Sequence, residues 1–198
     1  MSELFIALWH VGLHEALLLL AGAIAILSLD DLLVDLMFGW LLLRGRLRHP
    51  PPASTGRPGP MAIIIPAWDE SAVIGAMLRR LTATLDYPDY HIFVGTYPND
   101  PATQAAVGAV GDARITTVVG PRPGPTTKAD CLNHLWRAVL AHEARGAMRF
   151  KAVVLHDAED LVHPQALRLM DAAIPAAQMV QLPVMPLPDP ASPFIAGH

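Results

Sequence analysis

The order of apolar and polar positions divides the chain into two regimes. From Leu4 to Leu43 apolar residues dominate every helical face, and Ala16–Leu29 is a run of 14 residues without a charge. That run is shorter than the roughly 20 residues a bilayer-spanning helix needs. Extension to Leu43 supplies the length but takes in Asp30, Asp31 and Asp35. Those carboxylates then sit at an interface, face a partner helix, or are protonated at depth.

From Met61 onward short β-rich runs alternate with longer helical ones. Met61–Ile65 is a continuous apolar run closed by Pro66, the pattern of a buried strand. Val73, Ile74, Met77, Leu78, Leu81 and Leu85 recur at helical spacing, with Ser71 as the expected N-cap. His91–Thr96 predicts a second strand, Pro101–Val110 a short helix and Arg114–Val119 a third strand. A Pro/Gly loop, Gly120 to Pro125, leads into a helix that Thr126 or Thr127 caps and that runs to about Ala144. Lys151–His156 predicts a fourth strand, Pro164–Ile174 a helix and Met179–Val184 a fifth strand. This alternation implies an α/β fold, a mostly parallel, Rossmann-like sheet with helices on both faces. Ligands of such sheets gather beyond the carboxyl ends of the strands.

Charge and composition sharpen the boundaries. Only 16% of the 198 residues are charged while 53% are hydrophobic, against about 25% charged in a soluble domain. Residues 1–43 carry five carboxylates and no Lys or Arg, whereas residues 44–60 carry Arg44, Arg46, Arg48 and Arg57 and no acid. The expected organisation is a membrane segment over 1–48, a Pro/Gly-rich linker over 49–60 and a folded domain over 61–198. Arginines directly after the apolar stretch place that domain on the cytoplasmic side. A secretory signal fits poorly, because no basic segment precedes the apolar run. The lone Cys131 excludes an intrachain disulfide framework, and a net charge of −4 argues against nucleic acid as partner.

Candidate chemistry sits at the predicted strand ends. Pro66-Ala67-Trp68-Asp69-Glu70 places two carboxylates and an indole on the turn out of the first strand, although acids also suit a helix N-terminus. Tyr97-Pro98-Asn99-Asp100 follows the second strand, and Asp100 before Pro101 is also good N-cap chemistry. Lys128 opens a helix, where free N–H groups and an ammonium suit an anion; Thr127 and Ala129 beside it exclude a Walker loop. After the fourth strand, Asp157, Glu159 and Asp160 follow His156. Residues two apart on an extended chain point the same way, so Asp157 and Glu159 are candidates to face one Mg2+ or Mn2+ ion. An acidic loop capping the next helix is the alternative. His156, His163 and His142-Glu143 show no zinc spacing.

Taken in order, Ile64-Ile65-Pro66-Ala67-Trp68-Asp69-Glu70, Lys128-Ala129 with Leu132-Asn133, and Asp157-Ala158-Glu159-Asp160 with Pro164 resemble the motifs of glycosyltransferase family 2. The resemblance implies a GT-A fold that binds a nucleotide diphosphate sugar, a UDP-sugar, with Mn2+ or Mg2+. Pro66, Trp68 and Glu70 would lie near the nucleoside, Lys128 near the phosphates, and Asp157 with Glu159 near ribose, metal and diphosphate. The family's second strand usually ends in an Asp pair; Gly95 and Thr96 stand there, with Asn99 or Asp100 as the expected substitute. No acceptor-activating base of the family's kind follows Met179, so the chain reads as the donor-binding part of an enzyme whose acceptor half is missing. The expected setting is a bacterial inner membrane, the lipid bilayer and envelope export proteins being partners in the making of a cell-envelope polysaccharide. A non-catalytic membrane scaffold of an export system and a metal-dependent phosphatase are the competing readings.

Overall fold

The computed structural model describes residues 2–45, 58–146, 149–174 and 177–184. The chain divides into two units, Met1–His49 and Pro50–His198. Most of the expected linker, residues 49–57, lies outside the described residues.

The first unit consists of α1 (Ser2–Leu27) and α2 (Leu29–Leu43). Ser28 between them keeps φ −92° and ψ 0°. Its N–H donates to Ile24 at 2.9 Å and its carbonyl accepts from Leu32 at 3.1 Å, so the hydrogen-bond ladder runs through the join. Leu8–Leu43 is thus a 36-residue apolar helical stretch, with a mean hydropathy of 2.3 over its most apolar 18 residues. At ~1.5 Å per residue this exceeds the ~30 Å hydrocarbon core of a bilayer. None of the residues of α2 is buried.

In the second unit β1 (Met61–Pro66), β2 (Tyr90–Thr96), β3 (Ile115–Val119) and β4 (Ala152–Leu155) form one sheet in the order β3-β2-β1-β4. Every pairing is parallel; Ile63 lies opposite Ile92 on one side and Val154 on the other. The connecting helices are α3 (Ile74–Thr84), α4 (Pro101–Gly108), α5 (Lys128–Ala144) and α6 (Ala166–Ala173). Each falls within the helical pattern of the sequence.

Period-two alternation sends successive β1 side chains to opposite faces, and both faces are covered. Met61, Ile63 and Ile65 pack with Met77, Leu78 and Leu81 of α3, Val107 of α4 and Leu167 of α6. Ala62 and Ile64 pack with Cys131, Leu135 and Val139 of α5 and with Phe93. This is why β1 is an unbroken apolar run rather than an alternating one. β4 lies at the sheet edge, where Val153 and Leu155 are exposed.

Two expectations are corrected. Residues 179–184 form no strand; they are irregular, with Met179 and Val184 largely exposed. Hydrophobic β-branched composition without a partner strand does not make a ladder. Ser71 does not cap α3: residues 71–73 are a turn, and Val73 occupies the N-cap without a side-chain bond.

At the amino end of the sheet the Lys151 ammonium meets the buried Asp171 carboxylate of α6 at 2.5 Å. Tyr87 donates to the Gly59 carbonyl at 2.7 Å, and burial, reinforced by Asp171, pushes its hydroxyl up to about 12. Asp171→Ala leaves Lys151 without its partner and is expected to cost about 2 kcal/mol of stability. Asp86→Ala, which removes an exposed pair with Arg168, is expected to cost far less. Urea melts of the two variants beside the parent chain check the contrast.

Candidate functional site

The turn out of β1 is held by the loop after β2. Ala67 N–H donates to the Gly95 carbonyl at 2.8 Å. Asp69 sits at φ 57°, a left-handed conformation uncommon for any residue but glycine. Two bonds stabilise it there: Asp69 N–H donates to Asp100 Oδ2 at 2.8 Å, and Glu70 N–H to Thr103 Oγ1 at 3.0 Å. Asp100 is buried, and its other oxygen accepts from Thr103 N–H at 3.2 Å as the N-cap of α4. Both oxygens are thus committed to backbone, and Asp100 acts on the site by shaping the turn that carries Glu70. Burial works against its charge, but the N–H groups of Asp69 and Thr103 hold the carboxyl below its ordinary value.

α5 starts where the sequence placed it. Thr127 is the N-cap, its hydroxyl accepting from Asp130 N–H at 3.2 Å. Lys128, the first helical residue, forms an ion pair with Asp157, two residues beyond β4. The ammonium and the carboxylate are each about half exposed, so the pair is open to solvent.

The acids after β4 point to different partners. Asp157 faces Lys128. Asp160 accepts from the Asp157 N–H at 3.2 Å and closes a tight turn. Glu159 lies near Glu70, whose carboxyl is raised by partial burial and then by the charges of Glu159 and Asp69. Among the described residues no three Asp, Glu, His or Cys side chains converge on a point where they alone would hold an ion. A Mg2+-type site does not need three: one or two carboxylates with substrate phosphates and water suffice. Hard oxygen donors, and a Glu70–Glu159 repulsion that a cation would relieve, fit such an ion. His156 points inward, its Nε2 buried without a partner, and burial lowers its pKa.

The end of β2 explains the missing acids. A side chain at Gly95 would place its Cβ 2.6 Å from Cys131 Sγ and 3.0 Å from Leu135, so α5 packs where a larger residue would stand. Thr96 is buried, its hydroxyl without a partner.

The loop from Pro121 to Thr127 lies over the aromatic pair Trp68–Tyr97, which meet edge-on with centroids 5.1 Å apart. Asn99 binds that loop twice: its Nδ2 donates to the Gly124 carbonyl at 2.8 Å and its Oδ1 accepts from the Gly124 N–H at 2.7 Å. The Tyr97 hydroxyl meets Thr126 Oγ1 at 3.0 Å. Sequence reasoning took Asn99 as turn chemistry or a base reader; its carboxamide is spent on this loop. The Pro-Gly-Pro composition announced a loop, but nothing local named its anchor.

A β1 exit turn bearing Trp68 and Glu70, a helix-opening lysine and an acidic turn after β4 now stand at one edge of a parallel sheet. The family model described as glycosyltransferase like family 2 matches residues 58–186, and the chain belongs to that family. The motif resemblance is borne out, and the α/β unit is a glycosyltransferase domain. The chain is 40% identical over 190 residues to bacteriophage adsorption protein B of Escherichia coli strain K12, an alignment covering 91% of this chain and 26% of that protein. The same figures hold for bacteriophage N4 adsorption protein B of Escherichia coli O157:H7. The chain therefore spans about a quarter of the length of these relatives. Among solved structures, the mannosyltransferase PcManGT from Pyrobaculum calidifontis, in complex with GDP-Man and Mn2+, shares the fold. Its TM-score is 0.54 at 19% identity, over 76% of this chain and 43% of that one.

Because the Asp100 carboxyl is held low in the folded chain, its contribution is complete above the unfolded value of ~3.9 and is lost as pH falls through the lower folded value. Asp100→Asn keeps one cap acceptor but no titrating group. Chemical denaturation at pH 6 and pH 3 is expected to show a smaller acid loss for Asp100→Asn than for the parent chain.

Proposed function

We propose that the α/β unit is the donor-binding part of a membrane-anchored glycosyltransferase that takes a nucleotide diphosphate sugar, a UDP-sugar, for a cell-envelope polysaccharide. The observation that carries this reading is the Lys128–Asp157 pair at the carboxyl edge of the sheet, within a chain of this family. The apolar Leu8–Leu43 stretch supports the anchor, and Arg44, Arg46 and Arg48 support a cytoplasmic domain at a bacterial inner membrane.

Each site residue then has a task. Pro66 ends β1 and sets the direction of the turn. Trp68 and Glu70 border the nucleoside, Trp68 by its ring edge, since Gly124 and Tyr97 already pack against the indole. Asp100 keeps that turn in shape. The Lys128 ammonium, poised at a helix N-terminus whose free N–H groups also favour anions, exchanges its carboxylate partner for a phosphate oxygen. Asp157 and Glu159 are the residues that would hold Mn2+ or Mg2+. Such an ion, when bound, neutralises charge building on the leaving diphosphate. The relative solved with GDP-Man and Mn2+ is consistent with that pairing of donor and ion.

Lys128→Ala is expected to weaken UDP binding about tenfold or more, the loss of one charge-assisted contact, while uridine affinity changes little. Asp157→Asn is expected to abolish the enhancement of UDP binding by Mn2+ and leave the melting temperature nearly unchanged, because the residue is half exposed at a strand end. Calorimetric titrations with and without Mn2+ check both. A chain that binds UDP no better with either ion would instead favour a non-catalytic scaffold.

A further inference from the structure

Lys128 can meet a phosphate only if the loop before it is held, and that loop has no regular structure. Residues 121–127 contain three prolines and one glycine, and the main chain there enters no ladder. Its anchorage comes instead from side chains: Arg122 pairs with Asp130 of α5 at 2.5 Å, and the opposite connection supplies Tyr97 and Asn99. Asn99 closes both hydrogen bonds on Gly124, at 2.8 and 2.7 Å, as a partner strand would. The glycine beneath is matched to its seat. A Cβ at Gly124 would fall 2.4 Å from Trp68 Cζ3 and 2.8 Å from Tyr97 Cγ, both parts of rigid rings. Two residues on, Tyr97 meets Thr126; one further, Thr127 caps α5 and Lys128 begins it.

We propose that Asn99 is a positioning residue for the donor site: by clamping Gly124 onto Trp68 and Tyr97, it fixes the start of α5 and so presents Lys128 to the diphosphate. Asn99 touches neither phosphate nor base in this role. An asparagine is required because the task needs one donor and one acceptor on the same planar group. Aspartate would keep the acceptor for the Gly124 N–H but set a charge against the Gly124 carbonyl. Alanine would remove both bonds. The inference rests on the donor-site reading for its functional consequence, but the clamp itself is a property of the fold and is measurable without ligand.

Two measurements on the full chain decide it. Hydrogen exchange without ligand is expected to show faster exchange of the amides of residues 120–128 in Asn99→Ala, including the Gly124 N–H, with the amides of β1 and β2 unchanged. Titration with UDP is expected to show Asn99→Ala about tenfold weaker than the parent chain, Asn99→Asp in between, and uridine affinity altered less than about twofold. In the Lys128→Ala background, Asn99→Ala is expected to add little further loss, since it acts through the ammonium already removed. Unchanged exchange in the loop overturns the clamp. Faster exchange with undiminished UDP affinity, equal loss of UDP and uridine, or full additivity with Lys128→Ala overturns the positioning role while leaving the donor-site reading intact. A parent chain that binds UDP no tighter than uridine overturns the donor-site reading and the positioning role with it.

Discussion

The burial of β1 on both faces constrains everything downstream of it. A strand flanked by β2 and β4, with α3, α4 and α6 on one side and α5 on the other, has no room for a polar side chain along its length. Polar groups can appear only where it ends, and there the backbone turns sharply, through Asp69 in a left-handed conformation. Such a turn is costly in isolation. It persists because Asp100 and Thr103, from the next connection, accept the N–H groups it exposes. Core and site are therefore one construction: hydrophobic packing fixes the strands, and side chains from neighbouring loops hold the ends that packing leaves irregular.

The same division of labour recurs around α5. Its inner face packs so closely on β2 that Gly95 cannot carry a side chain. That closeness has a functional consequence, because a carboxylate at the end of β2 has no space. What stands at that edge instead is a cluster of backbone-anchoring groups: Asp100 for the first turn, Asn99 for the loop before α5. The charged residues left facing solvent include Lys128, Asp157, Glu159, Asp69 and the half-buried Glu70, and their mutual electrostatics are incomplete. One ammonium meets one carboxylate, while Glu70 and Glu159 repel each other. In the proposed donor site, an anion carried with a divalent cation would meet both conditions at once, a phosphate for the lysine and a counter-charge for the acids.

Much of this was legible along the chain. Four strands and four helices of the α/β unit lie within one residue of the spans expected for them, because a sheet covered on both faces demands unbroken apolar runs and amphipathic helices, and both leave strong periodic signals. Thr127 and Asp100 cap the helices that their residue types announced. Residues 179–184 had the composition of a strand but lacked what composition cannot supply, an edge already paired with them. Ser71 failed as a cap because the N–H groups of Val73 and Ile74 donate instead to the Glu70 carbonyl.

By itself the sequence determined the strand–helix order, the apolar amino-terminal helix and the residue types at the strand ends, since each depends on near neighbours in the chain. Which acid meets which partner was decided only in three dimensions. Asp157 lies 29 positions from Lys128, Asp69 lies 31 from Asp100, and Gly124 lies 25 from Asn99. Those pairings exist because parallel strands return every connection to the same edge of the sheet. A contact that depends on where a crossover ends leaves no periodic trace in the residues that make it.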